Sequence, residues 1–239
     1  PRLVEWRERV ALEKRAAYRD DTYWGRPVPA FGDPLARVLV VGLAPAAHGA
    51  NRTGRMFTGD RSGDWLFGAL HRAGFANQPH SVGPADGLRL TDIFVSAAVR
   101  CAPPANKPTS AERDACSHWL DAELDLLSRL RVIVALGAFA HAQTLQILTA
   151  RGIAVRKPRP RFGHGAEADL GAITLILVSS QPTKHLHWQA HGNDVRCHLD
   201  AGPARRRDEL MSHQTALPRR LTKLLLALAT LFAIACGDG

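Results

Sequence analysis

The chain has 239 residues, 46% of them hydrophobic, with 31 Lys+Arg against 22 Asp+Glu and a formal charge of +9 at pH 7. Such a chain can bury the core of one sizeable α/β domain, and its four scattered cysteines exclude a secreted disulfide scaffold, leaving thiols or metal ligands. The positive balance persists without the residues from 179 onward and points to a polyanion: a nucleic acid, which releases condensed counterions to such a surface, with an acidic membrane as the competing partner.

Residues 3–19 place Val4, Val10, Ala11 and Leu12 among charges with no Gly or Pro, which predicts a first helix. The stretch WGRPVPAFGDP then predicts a connection. Four continuous apolar runs follow, RVLVVGL at 37–43, TDIFVSAAV at 91–99, RVIVALG at 131–137 and ITLILVSS at 173–180, as strands buried on both faces require. Helical patterns near 63–74, 110–129 and 138–150 separate them. This alternation predicts an α/β class with a central parallel sheet of about four strands, covered on both faces. Ligands of such sheets bind outside the carboxyl ends of the strands.

After the first strand comes GLAPAAHGANRTGRMFTGDRSGDWL, residues 42–66, with five glycines, one proline and almost no acid before Asp60. Gly42, Gly49 and Gly54 permit close backbone approach, open amides suit an anion or a carbonyl, and Phe57 suits stacking on a flat ring. A structural turn with Phe57 in the core is the competing reading. Neither phosphate-loop spacing, Gly-x-x-x-x-Gly-Lys-Ser/Thr nor Gly-x-Gly-x-x-Gly, is present. The stretch closely resembles the first motif of the type-5 branch of the uracil-DNA glycosylase superfamily. RCAPPANKPTSAERDAC, residues 100–116, resembles the cysteine-bearing segment of the same branch. The resemblance implies a three-layer α/β/α fold over residues 1–178, excision of uracil and related deaminated bases from DNA, and a [4Fe-4S] cluster.

Such an enzyme reaches a glycosidic bond inside duplex DNA by flipping the nucleotide into a pocket. By the resemblance, Phe57 stacks on the base and backbone from Gly42 through Ala44 to Ala46 contacts uracil. Ala44 stands where other branches place a water-activating group and cannot activate anything. Catalysis is then expected to rest on stabilising the departing uracil anion and the cationic sugar. Asn51 is the candidate polar group near the water, or else a loop asparagine bonded to its own backbone. Ala97 fills the place of an asparagine that reads the uracil edge in many relatives, which implies a broader pocket that also takes hypoxanthine or other damaged bases. A monofunctional hydrolase that leaves an abasic site is expected, with His48 and His164 as structural histidines.

Iron–sulfur clusters are held by four thiolates. By the resemblance Cys101 and Cys116 are two of them, and the family's other pair is a Cys-x-x-Cys directly before the sequence corresponding to PRLVEWRE. That pair is expected to be lost upstream of Pro1, leaving two of four ligands. The family's His-Pro-Ser motif is expected after LVSS, where QPTKHLHWQAHGND stands instead. A reverse translation read one base further on permits His-Pro-Ser followed by QQNTYTGRLT. Residues 179–210 are therefore expected to be an out-of-frame, disordered tail, and His185, His187, His191, Cys197 and His198 within it no zinc site. Residues 211–239 run from charged to apolar to small before Cys236, the outline of a lipoprotein signal, and are too short for a transmembrane helix. The expected protein is a bacterial, cytoplasmic monomer acting on uracil-containing DNA without an obligatory protein partner. A catalytically inactive DNA-binding remnant and a membrane-associated protein are the alternatives.

Overall fold

The computed structural model of the protein describes residues 2–155, 163, 165–178, 189–191, 194–196 and 223–224. His164 and the remainder of the two predicted tails lie outside the described residues. In chain order the main domain runs α1 (Arg2–Glu13), β1 (Phe31–Gly32), β2 (Val38–Gly42), α2 (Ala50–Thr53), α3 (Arg61–Ala73), β3 (Ile93–Ala97), α4 (Ser110–Leu126), β4 (Val132–Leu136), α5 (Ala138–Ala150), β5 (Glu167–Asp169) and β6 (Thr174–Val178).

The four apolar runs form the parallel heart of a six-stranded sheet in the order β1-β3-β2-β4-β6-β5. β1 and β5 add antiparallel edges. With two and three residues, they are too short to show a period in the sequence.

Alternation along the strands divides the core into two layers. Val38 and Val40 of β2, with Ile93, Val95, Val132 and Val134, pack beneath Phe67 and Leu70 of α3. Leu39 and Val41, with Ile133 and Leu175, face Leu120 of α4 and Leu148 of α5. Each such side chain taken fully out of water stabilises the fold by about 1.5–3 kcal/mol, so the sheet is held from both sides. Its carboxyl ends are left to the loops.

The helix boundaries follow their caps. Asp60 accepts from Gly63 N and starts α3, and Gly74 ends it at φ +82°. Thr109 and Glu112 form a capping box that starts α4, the sequence signature of a helix beginning. α1 stops short of the predicted residue 19 because the chain turns left-handed at Lys14, φ +54°. The turn brings Tyr18 under the Arg52 guanidinium, 4.0 Å from its ring centroid.

Two short strands, β7 (Gln189–His191) and β8 (Asp194–Arg196), pair antiparallel within the stretch predicted to hold no element. Leu224, from the predicted signal-like segment, is fully buried in the layer beneath α3. Among the described residues no helix is long and apolar enough to cross a membrane.

Candidate active site at the mouth of β2

β2 delivers the chain to its carboxyl end at Gly42, and the next residues fold back over that end. Pairing continues past the strand, with Ala98 N donating to Gly42 O at 2.9 Å and Val99 N to Leu43 O at 3.1 Å, which fixes where the loop begins. Ala46 O then accepts from Gly49 N at 3.2 Å and from Asn51 N at 3.1 Å. α2 contributes one helical turn, and Gly54 closes it at φ +80°.

Phe57 follows in the left-handed region, φ +54°, a conformation that costs an L-residue roughly 1–2 kcal/mol. Two glycines accommodate it. A Cβ on Gly63 would lie 1.7 Å from Phe57 O, and a Cβ on Gly42 would lie 2.4 Å from the ring carbon Cζ. The backbone of Phe57 therefore rests on the start of α3 while its ring lies over the end of β2.

That ring walls a pocket of about 260 Å³, whose lining also includes Gly42, Ala44, Ala46, Met56, Asp60, Trp65 and Asn106. Sites for drug-sized ligands occupy roughly 300–1,000 Å³, so a pocket just below that range suits one heterocycle. A more open groove of about 500 Å³ flanks β1, lined by Phe31, Asp33, Arg55 and Arg89 among others; of the loop glycines singled out in the sequence it takes Gly54.

Four predicted residues thus meet in one wall: Gly42, Ala44, Ala46 and Phe57. Ala97 lies beside Gly42 in strand register, but it is buried in the layer beneath α3 and does not line the pocket. Asn51 is fully buried behind the loop. Its Nδ2 donates to Arg7 O at 3.2 Å and to Ala47 O at 3.4 Å, and its Oδ1 has no partner among the described residues.

Asp60, Trp65 and Asn106 line the pocket as well, beyond the residues expected from the sequence. For Asn106 a signal was present, a Pro-rich turn after β3 with an asparagine at its tip; Ala105 and Asn106 are both left-handed there, φ +52° and +54°. Lys107, the one lysine in the two motifs, does not line the pocket, so the wall offers no amine for a Schiff base.

Asp60 is the single acidic side chain in the lining. Gly63 N donates to its Oδ1 at 3.1 Å, and its Oδ2 packs against Gly49, where a Cβ would come within 2.5 Å. The amides of Ala44 and Ala46 have no acceptor among the described residues, leaving two donors in the wall opposite in sign to that carboxylate.

The motif's basic side chains are held internally. Arg52 Nη1 donates to Asp21 Oδ2 at 2.6 Å and its Nε to His48 O at 2.8 Å. Arg55 Nη1 donates to Asp86 Oδ1 at 2.8 Å and to Ser81 Oγ at 2.9 Å. Burial works to raise the Asp86 carboxyl, but the amides of Leu88, Val82 and Gly83 together with Arg55 hold it down at about 2. His48 Nδ1 lies 3.0 Å from Tyr23 Oη, and burial, then the charges of Arg15 and Arg52, push its pKa down. It does not line the pocket.

Behind the pocket, Cys101 and Cys116 share a small apolar cluster with Leu3, Val99 and Phe139, against which Ala44 also packs. Arg7 Nη1 donates to Cys101 Sγ at 2.8 Å; burial pushes that thiol up while Arg7 pulls it down. Next to it, buried Arg100 pairs with Glu123, which also accepts from Ser96 Oγ at 2.7 Å. Burial pushes Arg100 down to about 10. Two thiols in one cluster are donors of the type an iron–sulfur cluster takes. Among the described residues no group of three or more His, Cys, Asp or Glu side chains is placed to hold a metal ion.

Comparison with known proteins places this site in context. The model of the uracil DNA glycosylase superfamily matches residues 29–200. A type-5 uracil-DNA glycosylase of Mycobacterium bovis is 58% identical over 185 residues, covering 77% of this chain and 68% of the relative. One from Thermus thermophilus is 54% identical over 179 residues, 75% of this chain and 78% of the relative. A type-4 uracil-DNA glycosylase of Thermotoga maritima is more distant, at 33% over 127 residues, 51% and 58% of the two chains.

Proposed function

The chain belongs to the uracil DNA glycosylase superfamily, and from that membership and the shape of its pocket we infer that it excises uracil from DNA, hydrolysing the N-glycosidic bond of a nucleotide flipped out of the helix. The observation that carries this reading is the seating of Phe57. A flat aromatic face is fixed over the end of β2, beside a one-ring pocket with two open amides.

The wall divides the chemistry by charge. As the glycosidic bond lengthens, negative charge collects on the uracil and positive charge on the sugar. The amides of Ala44 and Ala46 are the donors for the uracil carbonyl, preorganised and requiring no reorientation during the reaction. Asp60 is the carboxylate that faces the cationic sugar and accepts a proton from the attacking water. Ala44 itself supplies only backbone. Asn106 takes the base-reading role open to an amide and closed to Ala97. Asn51 serves as a positioning residue, tying Ala47 to α1 and so holding Ala46 in the wall.

Without an asparagine at position 97 the pocket rejects other deaminated bases less strictly, and hypoxanthine is a second substrate under this reading. Cys101 and Cys116 are the residues that would hold iron. A cluster bound there would supply iron–thiolate bonds linking the segment after β3 to α4.

The test is a labelled duplex carrying one uracil, treated with the purified chain and then with alkali. Strand scission only after alkali marks a monofunctional glycosylase. Stacking of a base on an aromatic ring is worth about 1–3 kcal/mol, so Phe57→Ala lowers kcat/KM by roughly 5- to 150-fold. Uracil left intact by the wild-type chain under all conditions overturns the reading.

A further inference from the structure

A flipped nucleotide leaves its strand running past both sides of the pocket, so phosphates pass the rim wherever the base enters. The sequence offers Arg52 and Arg55 of NRTGR as the obvious partners, yet both are neutralised inside the protein, by Asp21 and Asp86. Two other cations directly follow residues of the lining. Arg61 follows Asp60 and Lys107 follows Asn106, and each of those neighbours lines the pocket. Both side chains belong to exposed residues, and neither has an ion pair among the described residues. They approach from different segments, Arg61 from the first turn of α3 and Lys107 from the turn before α4.

We propose that Arg61 and Lys107 are the phosphate contacts of this enzyme, gripping the strand on either side of the flipped nucleotide, while the arginines of the first motif shape the loop. This rests on the excision reading above. A phosphate contact releases condensed counterions, so each one removed lowers the slope of log affinity against log salt by about 0.9. It also weakens binding without altering how the flipped base is held.

The experiment uses a short labelled duplex with one tetrahydrofuran abasic-site analogue, which cannot be cut, and follows binding by fluorescence anisotropy across a salt series. Arg61→Gln and Lys107→Gln each lower the slope by about one and the double variant by about two. Their uracil excision at subsaturating enzyme falls in step with the loss of affinity. Arg129→Gln is the control, an exposed residue just before β4, at the opposite end of the sheet.

Unchanged slopes in the two variants, or an equal loss in Arg129→Gln, overturn the proposal. If the wild-type chain excises uracil while the slopes stay fixed, this inference alone falls. If the wild-type chain does not excise uracil, the functional reading falls with it.

Discussion

Replacing a helical glycine by alanine ordinarily stabilises a protein by roughly 0.4–1 kcal/mol, through helix propensity and a less flexible unfolded chain. Gly63→Ala is predicted to do the reverse. Its new Cβ would sit 1.7 Å from Phe57 O, an atom of the backbone that cannot swing aside as a side chain does. Relieving the overlap means moving the first turn of α3 or the left-handed Phe57 by more than 1 Å, and overpacking of this kind costs about 1–3 kcal/mol. The steric overlap outweighs the gain in helix propensity, giving a net destabilisation of roughly 1–2 kcal/mol and, for a chain of this size, a Tm lower by about 2–8 °C. Gly68→Ala is the matched control in the same helix. There the nearest atom is Arg72 Nη1 at 3.4 Å, the far end of a flexible side chain, so the ordinary gain should appear. Thermal and urea unfolding of both variants decide the matter, with uracil excision measured alongside, since a displaced Phe57 carries its ring with it. A Gly63→Ala protein as stable as wild type, or a Gly68→Ala protein destabilised equally, would refute the close approach on which the site is built.

Asp60→Asn keeps the cap of α3, because asparagine caps as well as aspartate, but removes the charge facing the sugar; excision should fall by about 10²–10⁴-fold with Tm nearly unchanged, and a fully active variant removes Asp60 from the chemistry. Asp86→Asn leaves the buried Arg55 charge without its partner and should cost about 3–5 kcal/mol, read from urea midpoints. The Asp86 carboxyl sits at about 2 when folded, below the ordinary carboxylate value of about 4, so its stabilising contribution is whole above about pH 4 and is lost as pH falls through about 2. The variant should be less sensitive to that acid range than wild type, and identical pH dependence would count against the pair. After anaerobic treatment with iron and sulfide, Cys101→Ser and Cys116→Ser should each take up less iron than wild type, measured per chain; equal uptake removes the two thiols as ligands.

The buried strands were legible because fully covered parallel strands are continuous apolar runs. Every residue of β2 is buried, and nothing local competes with that signal. The edges were not legible, since β1 and β5 owe their pairing to the neighbouring strand rather than to any period of their own. Within the site, Gly42 and Phe57 could be picked out by residue type, but the relation between them could not: the ring lies on the glycine because Gly63 admits the Phe57 carbonyl. Asn51 shows the opposite limit. Its residue type suited a place near water, yet the fold spends its amide on Arg7 and Ala47. Asp60 stood out in the sequence only as the first acid of the loop; the fold makes it both the cap of α3 and the pocket's carboxylate, two tasks that one symbol in a sequence cannot separate.

Because Asp21 and Asp86 hold Arg52 and Arg55 from within, the loop at the mouth of β2 is fastened to the body of the fold by its own side chains. Its ordering cost is met during folding and is not repeated at each encounter. A repair protein must reject an enormous excess of normal nucleotides for every lesion, and the time spent on each rejection sets the pace of its search. Under the proposed excision, a loop already fastened in place spends no time assembling around each base it rejects.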